Sequence, residues 1–234
     1  MGKIIAIHQP NFFPWLGYFD KIVKSNLFIF LDHVQFPKKG GTWMNRVNLL
    51  VCGKAKWITA SVDRNYTGTK KINEIKIKSN DNWKQKFLKT LEQSYNKHYF
   101  FDQTMVFLEP LILFDNENLS EYNLNSVKNI LGYLELKNDH LKLSSTLNSS
   151  GSSTNLLVNL TKSLNGTGYL CGGGANDYQD DKIFKKNNLD LIYQNYNHPI
   201  YNQLNSEQFN HGLSIIDCLM NNGVEKTSEI IQNA

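Results

Sequence analysis

The sequence predicts an α/β protein with a Rossmann-like, predominantly parallel sheet of about five strands, a β-hairpin and a helical insert. Two observations carry this expectation. Short apolar runs rich in β-branched and aromatic residues recur at residues 3–7, 27–31, 141–143, 169–171 and 189–193, as strands buried on both faces require. Stretches with apolar residues at helical spacing lie between most of them, and such alternation makes a parallel sheet.

The first run, Lys3-Ile4-Ile5-Ala6-Ile7, stops at the turn-forming Gln9-Pro10-Asn11. Residues 15–24 then place Leu16, Phe19, Ile22 and Val23 on one helical face. Residues 27–31 end at Asp32, so the three segments form a βαβ unit with His8 and Asp32 at neighbouring strand ends. In an open parallel sheet the ligand crevice borders the carboxyl ends of the strands, and a site is expected there.

Beyond residue 34 the chain turns polar, and residues 57–62 and 72–77 read as edge strands around a loop at Gly68. Helical periodicity returns at 83–95, 104–114 and 119–134, with Pro110 as a kink or boundary. The insert thus covers about 48–135 of a single 1–234 domain. Residues 154–164, 179–186 and 214–220 supply further helices, and the Ser-rich stretch 144–153 reads as a loop ending in a helix N-cap.

Composition narrows the classes of function. With 41% hydrophobic and 20% charged residues among 234, the chain has the makings of a sizeable core, and disorder is excluded. A net charge of +4 falls short of a dedicated nucleic-acid binder, and the basic residues form no stripe with interleaved aromatics, so a nucleic-acid module is disfavoured and DNA is not expected as a partner, whereas small anionic ligands are. No apolar run reaches the roughly 18 residues of a membrane span, and the amino terminus lacks a signal-peptide pattern, so a cytoplasmic location is expected. Cys52, Cys171 and Cys218 are odd in number and lack CxxC spacing, which reads as three buried thiols rather than a disulfide framework or a zinc site.

The densest cluster of polar and aromatic residues follows the first strand: His8, Gln9 and Asn11, then Trp15 and Tyr18. A Pro-rich turn stapled by aromatics would look the same. A second cluster after the neighbouring strand shifts the balance, because Asp32, Gln35 and Lys38, then Trp43, Asn45 and Arg46, supply a carboxylate, amides, cations and an indole. Cations pair with phosphates, amides fix hydroxyls, and an indole stacks on a ring. Gly172 opens a glycine run before Tyr178, but without Walker or GxGxxG spacing this is a weak phosphate signal. His198, with Tyr201 and Gln203, follows the last strand. Two histidines converging on Asp32 would make a poised general base. No serine elbow or metal-spaced histidine pair is present, so neither a serine hydrolase nor a metal centre is expected.

These motifs resemble the WbqC-like family of bacterial proteins associated with O-antigen and related lipopolysaccharide gene clusters. The resemblance covers nearly the whole chain. It rests on His8-Gln9-Pro10-Asn11 with Pro14-Trp15-Leu16-Gly17-Tyr18-Phe19, on Asp32 with Val34-Gln35-Phe36 and Lys38, and on Trp43 with Asn45-Arg46. Ser144-Ser145, His198-Pro199, Tyr201, Gln203 and Leu213-Ser214-Ile215-Ile216-Asp217 extend it. A remoter similarity is to the nucleotidylyltransferase superfamily, whose His-x-Gly-His helix start corresponds here to Trp15-Leu16-Gly17-Tyr18 with both histidines absent.

The resemblance implies a transferase, in some members a glycine transferase, that acylates the amine of a dTDP-linked 4-amino-4,6-dideoxyhexose. On this expectation His8 or His198 is the base and Asp32 orients it. Asn11, Gln35 and Asn45 hold sugar or carbonyl oxygens, Lys38 and Arg46 neutralise the diphosphate, and Trp15, Trp43 or Tyr178 stacks on the base. Gln9, Gly172, Tyr201 and Gln203 complete the expected lining. No cofactor is firmly implied, although ATP would serve if the acyl group is activated in place, and an aminoacyl-tRNA or a carrier protein would serve as donor. The competing expectation is a non-catalytic subunit that binds carbohydrate or nucleotide sugar within a polysaccharide assembly complex.

Overall fold

The computed structural model describes residues 2–78, 81–172 and 181–234. In chain order the elements are β1 (Ile4–His8), α1 (Leu16–Val23), β2 (Leu27–Phe30), β3 (Arg46–Val51), β4 (Lys54–Thr59), α2 (Trp83–Tyr95), α3 (Phe101–Leu113) and α4 (Leu119–Tyr133). There follow β5 (Leu141–Leu143), α5 (Ser153–Ser163), β6 (Gly168–Cys171), α6 (Asp181–Lys186), β7 (Asp190–Tyr193) and α7 (Ile215–Gln232).

Five strands form one parallel sheet in the order β5-β2-β1-β6-β7. This is the Rossmann-like arrangement expected from the apolar runs. Strand alternation assigns the two faces. Ala6, Phe28, Phe30 and Leu170 join a core with Leu16, Phe19 and Ile22 of α1 and Ile215, Ile216 and Leu219 of α7. Ile5, Ile7, Ile29, Tyr169 and Cys171 join another with Leu156 and Leu160 of α5 and Phe184 of α6. Helices therefore cover both faces, as continuous apolar strands demand. The chain leaves β1 toward β2 on one side and returns to β6 on the other, so the switch point of the sheet lies between β1 and β6. None of the described helices is long and apolar enough to cross a membrane.

The expected edge strand at 57–62 is met in part by β4, which ends at Thr59, and the one expected at 72–77 is corrected by the structure. The hairpin is β3 with β4, turning at Cys52 and Gly53, both with positive φ (50° and 73°). A two-residue turn of this kind matches the right-handed twist of the strands, but it is usually written Asn-Gly, and Cys-Gly gave no signal. Cys52 is exposed at this turn rather than buried, while Cys171 and Cys218 are buried. Residues 72–74 form a 3₁₀ turn, and the 72–77 segment makes only isolated bridges. Pro110 lies inside α3 near its end. The carbonyl it deprives of a partner belongs to the exposed Val106, where water is at hand. Helix α7 runs past the expected 214–220 because Gly223, with φ of 73°, breaks it and lets it resume; a Cβ there would meet the Phe100 ring at 2.6 Å.

The insert between β2 and β5 pins the loops at the sheet edge. Asn123 of α4 is fully buried and donates from Nδ2 to the carbonyls of Pro10 (2.9 Å) and Met44 (2.7 Å). Phe12 N–H donates to Trp43 O at 2.8 Å, and Ser214 Oγ donates to Phe13 O at 2.7 Å. The β1–α1 loop is thus held from α4, from the 42–45 turn and from the start of α7.

Candidate functional site

A crevice opens over the carboxyl ends of β1 and β6, where the strand order reverses. Its smaller lobe, about 340 Å³, is lined by Asn11, Trp15, Gly17, Tyr18, Gln194 and Tyr196. The larger, about 870 Å³, includes Gln9, Leu31, Val34, Leu156, Leu157 and Tyr169. His8, Lys21, Trp43 and Gly172 line both.

His8 ends β1, half-buried, with Nδ1 3.0 Å from the carbonyl oxygen of Gln9. A carbonyl only accepts, so Nδ1 carries the proton and Nε2 keeps its lone pair. No described group bonds Nε2. The Tyr18 ring meets the imidazole edge-on at 4.9 Å, and its hydroxyl donates to the same Gln9 oxygen at 3.0 Å. Burial, reinforced by the Lys21 charge, lowers the His8 pKa to about 4, so the ring is neutral near pH 7.

Lys21 is the functional candidate the sequence reading missed. Its side chain is buried, and its Nζ donates to the Ile7 carbonyl at 2.9 Å. Among the described residues no carboxylate lies within ion-pair distance of it. Burial pulls its pKa down to about 8, against a small upward pull from Cys171. An anion in the crevice would supply the missing countercharge. Four residues earlier, Gly17 lets the Trp15 indole lie on α1: a Cβ there would sit 2.3 Å from the ring. Spacing gave the one available signal, since Gly17 and Lys21 share a helical face distinct from Leu16, Phe19 and Ile22.

Two further polar atoms in the smaller lobe lack partners among the described residues. Asn11 is 2% exposed and its Oδ1 makes no hydrogen bond; nor does the buried hydroxyl of Tyr196. Gln194, by contrast, is committed, donating to Gly17 O and Asp20 Oδ2, each at 2.6 Å. Cys171 is buried with a raised pKa, which keeps its thiol protonated.

Of the residues expected from sequence, His8, Gln9, Asn11, Trp15, Trp43 and Gly172 meet at this crevice. The expected pairing of Asp32 with His8 is not formed. Asp32 accepts from Ser144 Oγ (2.8 Å), Ser145 N (2.9 Å), Ser145 Oγ (2.5 Å) and Asn73 Nδ2 (3.3 Å). It thereby fastens the end of β2 to the segment after β5. Ser144 Oγ spends its one proton on Asp32, so at 2.5 Å from His33 Nδ1 it is the acceptor, the reverse of a serine activated by histidine.

Other expected residues also lie outside the crevice lining. Gln35 and Lys38 are exposed. Asn45 is buried, accepting from Thr42 Oγ1 and donating to Ala60 O. Arg46 stacks on Trp57, with its guanidinium carbon 4.1 Å from the ring centre. His198 packs behind Trp15 (5.0 Å between ring centres) and against His211 (5.4 Å), and does not approach His8. Tyr201 donates to the buried Asp217 at 2.9 Å, and Gln203 clamps Asn210. Tyr178 lies outside the described residues. No cluster of metal-ligating side chains occurs among the described residues.

Comparison with known proteins adds two findings. The model of the WbqC-like protein family matches residues 9–229. A protein of Mycobacterium tuberculosis (strain ATCC 25618 / H37Rv), described as uncharacterized protein Rv1507c, is 31% identical over 225 residues, covering 95% of each chain. No solved structure matches.

Proposed function

Because the chain belongs to the WbqC-like protein family, we propose that it is a transferase forming an amide on a nucleotide-linked amino sugar. The acceptor is the amine of a dTDP-4-amino-4,6-dideoxyhexose, the transferred group is glycyl or another acyl group, and the setting is synthesis of O-antigen or a related polysaccharide. The observation that carries this reading is the pair at the crevice floor: a neutral His8 with Nε2 free beside a buried Lys21 with no carboxylate partner among the described residues.

In the reaction the amine nitrogen attacks the acyl carbonyl, the bond to the leaving group breaks, and the amine gives up a proton. His8 Nε2 accepts that proton and passes it to the leaving group. Lys21 faces negative charge, either the sugar's diphosphate or the carbonyl oxygen as it becomes an oxyanion. A phosphate against Lys21 also offsets the cation that depresses His8, so the base strengthens as substrate binds. Trp15 and Trp43 wall the crevice for a sugar or base, and Asn11 Oδ1 accepts from a hydroxyl. The donor is an aminoacyl adenylate made in place from ATP, an aminoacyl-tRNA or a carrier-bound thioester.

The missing bond between Asp32 and His8 favours a second reading, a non-catalytic nucleotide-sugar binding subunit. One experiment separates the two. Purified protein is incubated with a dTDP-4-amino sugar, glycine and ATP, each omitted in turn, with a glycyl-tRNA arm, and products are weighed by mass spectrometry. A product heavier than the acceptor by one glycyl residue supports the transferase. Parallel arms supply a glycyl thioester on a carrier protein and a mixture of the other amino acids with ATP; unmodified sugar retained on the protein in every arm supports the binding subunit instead.

A further inference from the structure

We propose that the hairpin face carrying Arg46 and Trp57, with the loops at 36–41 and 64–70, binds single-stranded RNA whose 3′ end reaches the crevice past Trp43. The first support is charge. Residues 33–71 contain eight Lys and Arg and a single acidic residue, Asp63, whereas the whole chain is only +4, so the rest of the molecule is net negative. Asp63 is occupied by the N–H of Asn65 at 2.8 Å. Among the described residues Lys38, Lys39, Arg46, Arg64 and Lys70 form no ion pair. A modest net charge thus hides a concentrated positive field.

The second support is that contacts connect Arg46, Arg64, Lys38 and Lys70 into one track leading from the crevice, with the exposed Lys39 next in the chain to Lys38. Trp43 lines the crevice and meets Trp57 edge-on at 4.7 Å; the two are 39% and 40% exposed. The Arg46 guanidinium covers one part of Trp57 and packs over Gly41. On the other side of that turn, Arg64 donates to the carbonyls of Pro37, Lys38 and Gly40. Lys38 donates to Tyr66 O, and the amines of Lys38 and Lys70 lie 4.8 and 5.1 Å from the Tyr66 ring centre. The structure thus brings together cations and rings that the linear sequence does not interleave, the indoles of Trp43 and Trp57 exposed and the Tyr66 ring half-buried, and this suits an unpaired strand, whose phosphates and base faces are both available. An acidic protein would meet the charge but leave the indoles unused, and a duplex hides its base faces.

That the strand is RNA rests on the acyl-transfer reading, in which an aminoacyl ester on a 3′ end is one donor; the test below needs no transfer. Fluorescence anisotropy is followed with a short 5′-fluorescein RNA ending in CCA, against duplex DNA and an acyl carrier protein as competitors. The wild type is expected to bind the RNA, and to do so about 20-fold more weakly on going from about 50 to about 200 mM salt if roughly three phosphates are engaged. Trp57→Ala should weaken binding about tenfold while the protein melts normally. Lys38→Glu with Lys39→Glu should abolish it, whereas Lys128→Glu with Lys137→Glu, outside the track, should leave it unchanged. No binding at low salt, equal affinity for duplex DNA, or displacement of the RNA by the carrier protein as readily as by unlabelled RNA overturns the proposal. RNA binding without glycyl transfer leaves the RNA site standing and removes only the transferase.

Discussion

The ammonium of Lys21 donates to the carbonyl oxygen of Ile7 at 2.9 Å, tying helix α1 back to the strand that precedes it. A salt-bridged lysine would present a cancelled charge. This one presents a cation at the floor of a crevice, where the Ile7 carbonyl and the Tyr169 ring, 5.9 Å from the ammonium, and no carboxylate among the described residues, oppose the cost of burial.

Replacing that cation tests both of its effects. Lys21→Met keeps the side-chain length and packing but removes the charge, so the His8 pKa should climb from about 4 while burial holds it below the ordinary 6.5. Affinity for a dTDP sugar should fall roughly tenfold or more with the loss of a charge-assisted bond. An NMR titration of the His8 ring and calorimetry with the nucleotide sugar read these outcomes. An unmoved titration would show that burial alone sets His8.

Two groups should tilt the pH dependence of stability in opposite directions. For His8 the folded pKa, about 4, lies below the unfolded value of 6.5, so its contribution is full above about 6.5 and is lost as pH falls toward 4. Burial raises the Asp217 pKa to about 6 against an ordinary 3.8, so its contribution is full below about 3.8 and is lost as pH rises toward 6. Melting curves between pH 4 and 6.5 should therefore lose acid sensitivity in His8→Gln and gain it in Asp217→Asn. A shift of the same sign in both variants contradicts the assignment.

Gly17→Ala should damage the crevice even though alanine favours a helix by about 1 kcal/mol. The added Cβ would lie 2.3 Å from the Trp15 ring, so the indole must leave its seat on α1, and with it the stack against His198. Lower thermal stability, altered tryptophan emission and weaker nucleotide-sugar binding are expected together. Wild-type emission and binding would mean that the indole tolerates the methyl group.

Asp32→Asn should act on the fold rather than on His8. An amide presents one acceptor and two donor hydrogens to four donor groups, and breaking such a buried cluster costs about 2–4 kcal/mol, or a fall in Tm of roughly 5–15 °C. Below the transition the His8 titration should match the wild type. A displaced His8 titration would restore Asp32 as its orienting group.

The amino-acid sequence by itself determined the alternation of strands and helices and the neighbouring positions of His8 and Asp32 at the sheet edge. Those features follow from local periodicity: runs such as Leu27–Phe30 are apolar on both faces and end where polarity returns. It also named six residues that line the crevice, five of them (His8, Gln9, Asn11, Trp15 and Gly172) at or after the ends of β1 and β6, whereas Gln35 and Lys38 after β2 lie outside it. Tertiary structure alone decided which polar groups meet. Asp32 chooses Ser144, 112 residues away, over His8 on the adjacent strand, and no local pattern encodes such a pairing. Beyond its spacing from Gly17, Lys21 carries no signal in the sequence, since a lysine between apolar positions of a helix looks solvent-exposed until the strand beneath it is in place. The family motif mixes both kinds of residue. Trp15 and His8 line the crevice, while Asp32 and Ser144-Ser145 fasten β2 to the segment after β5, and only packing distinguishes a side chain that faces the crevice from one that bonds its neighbour.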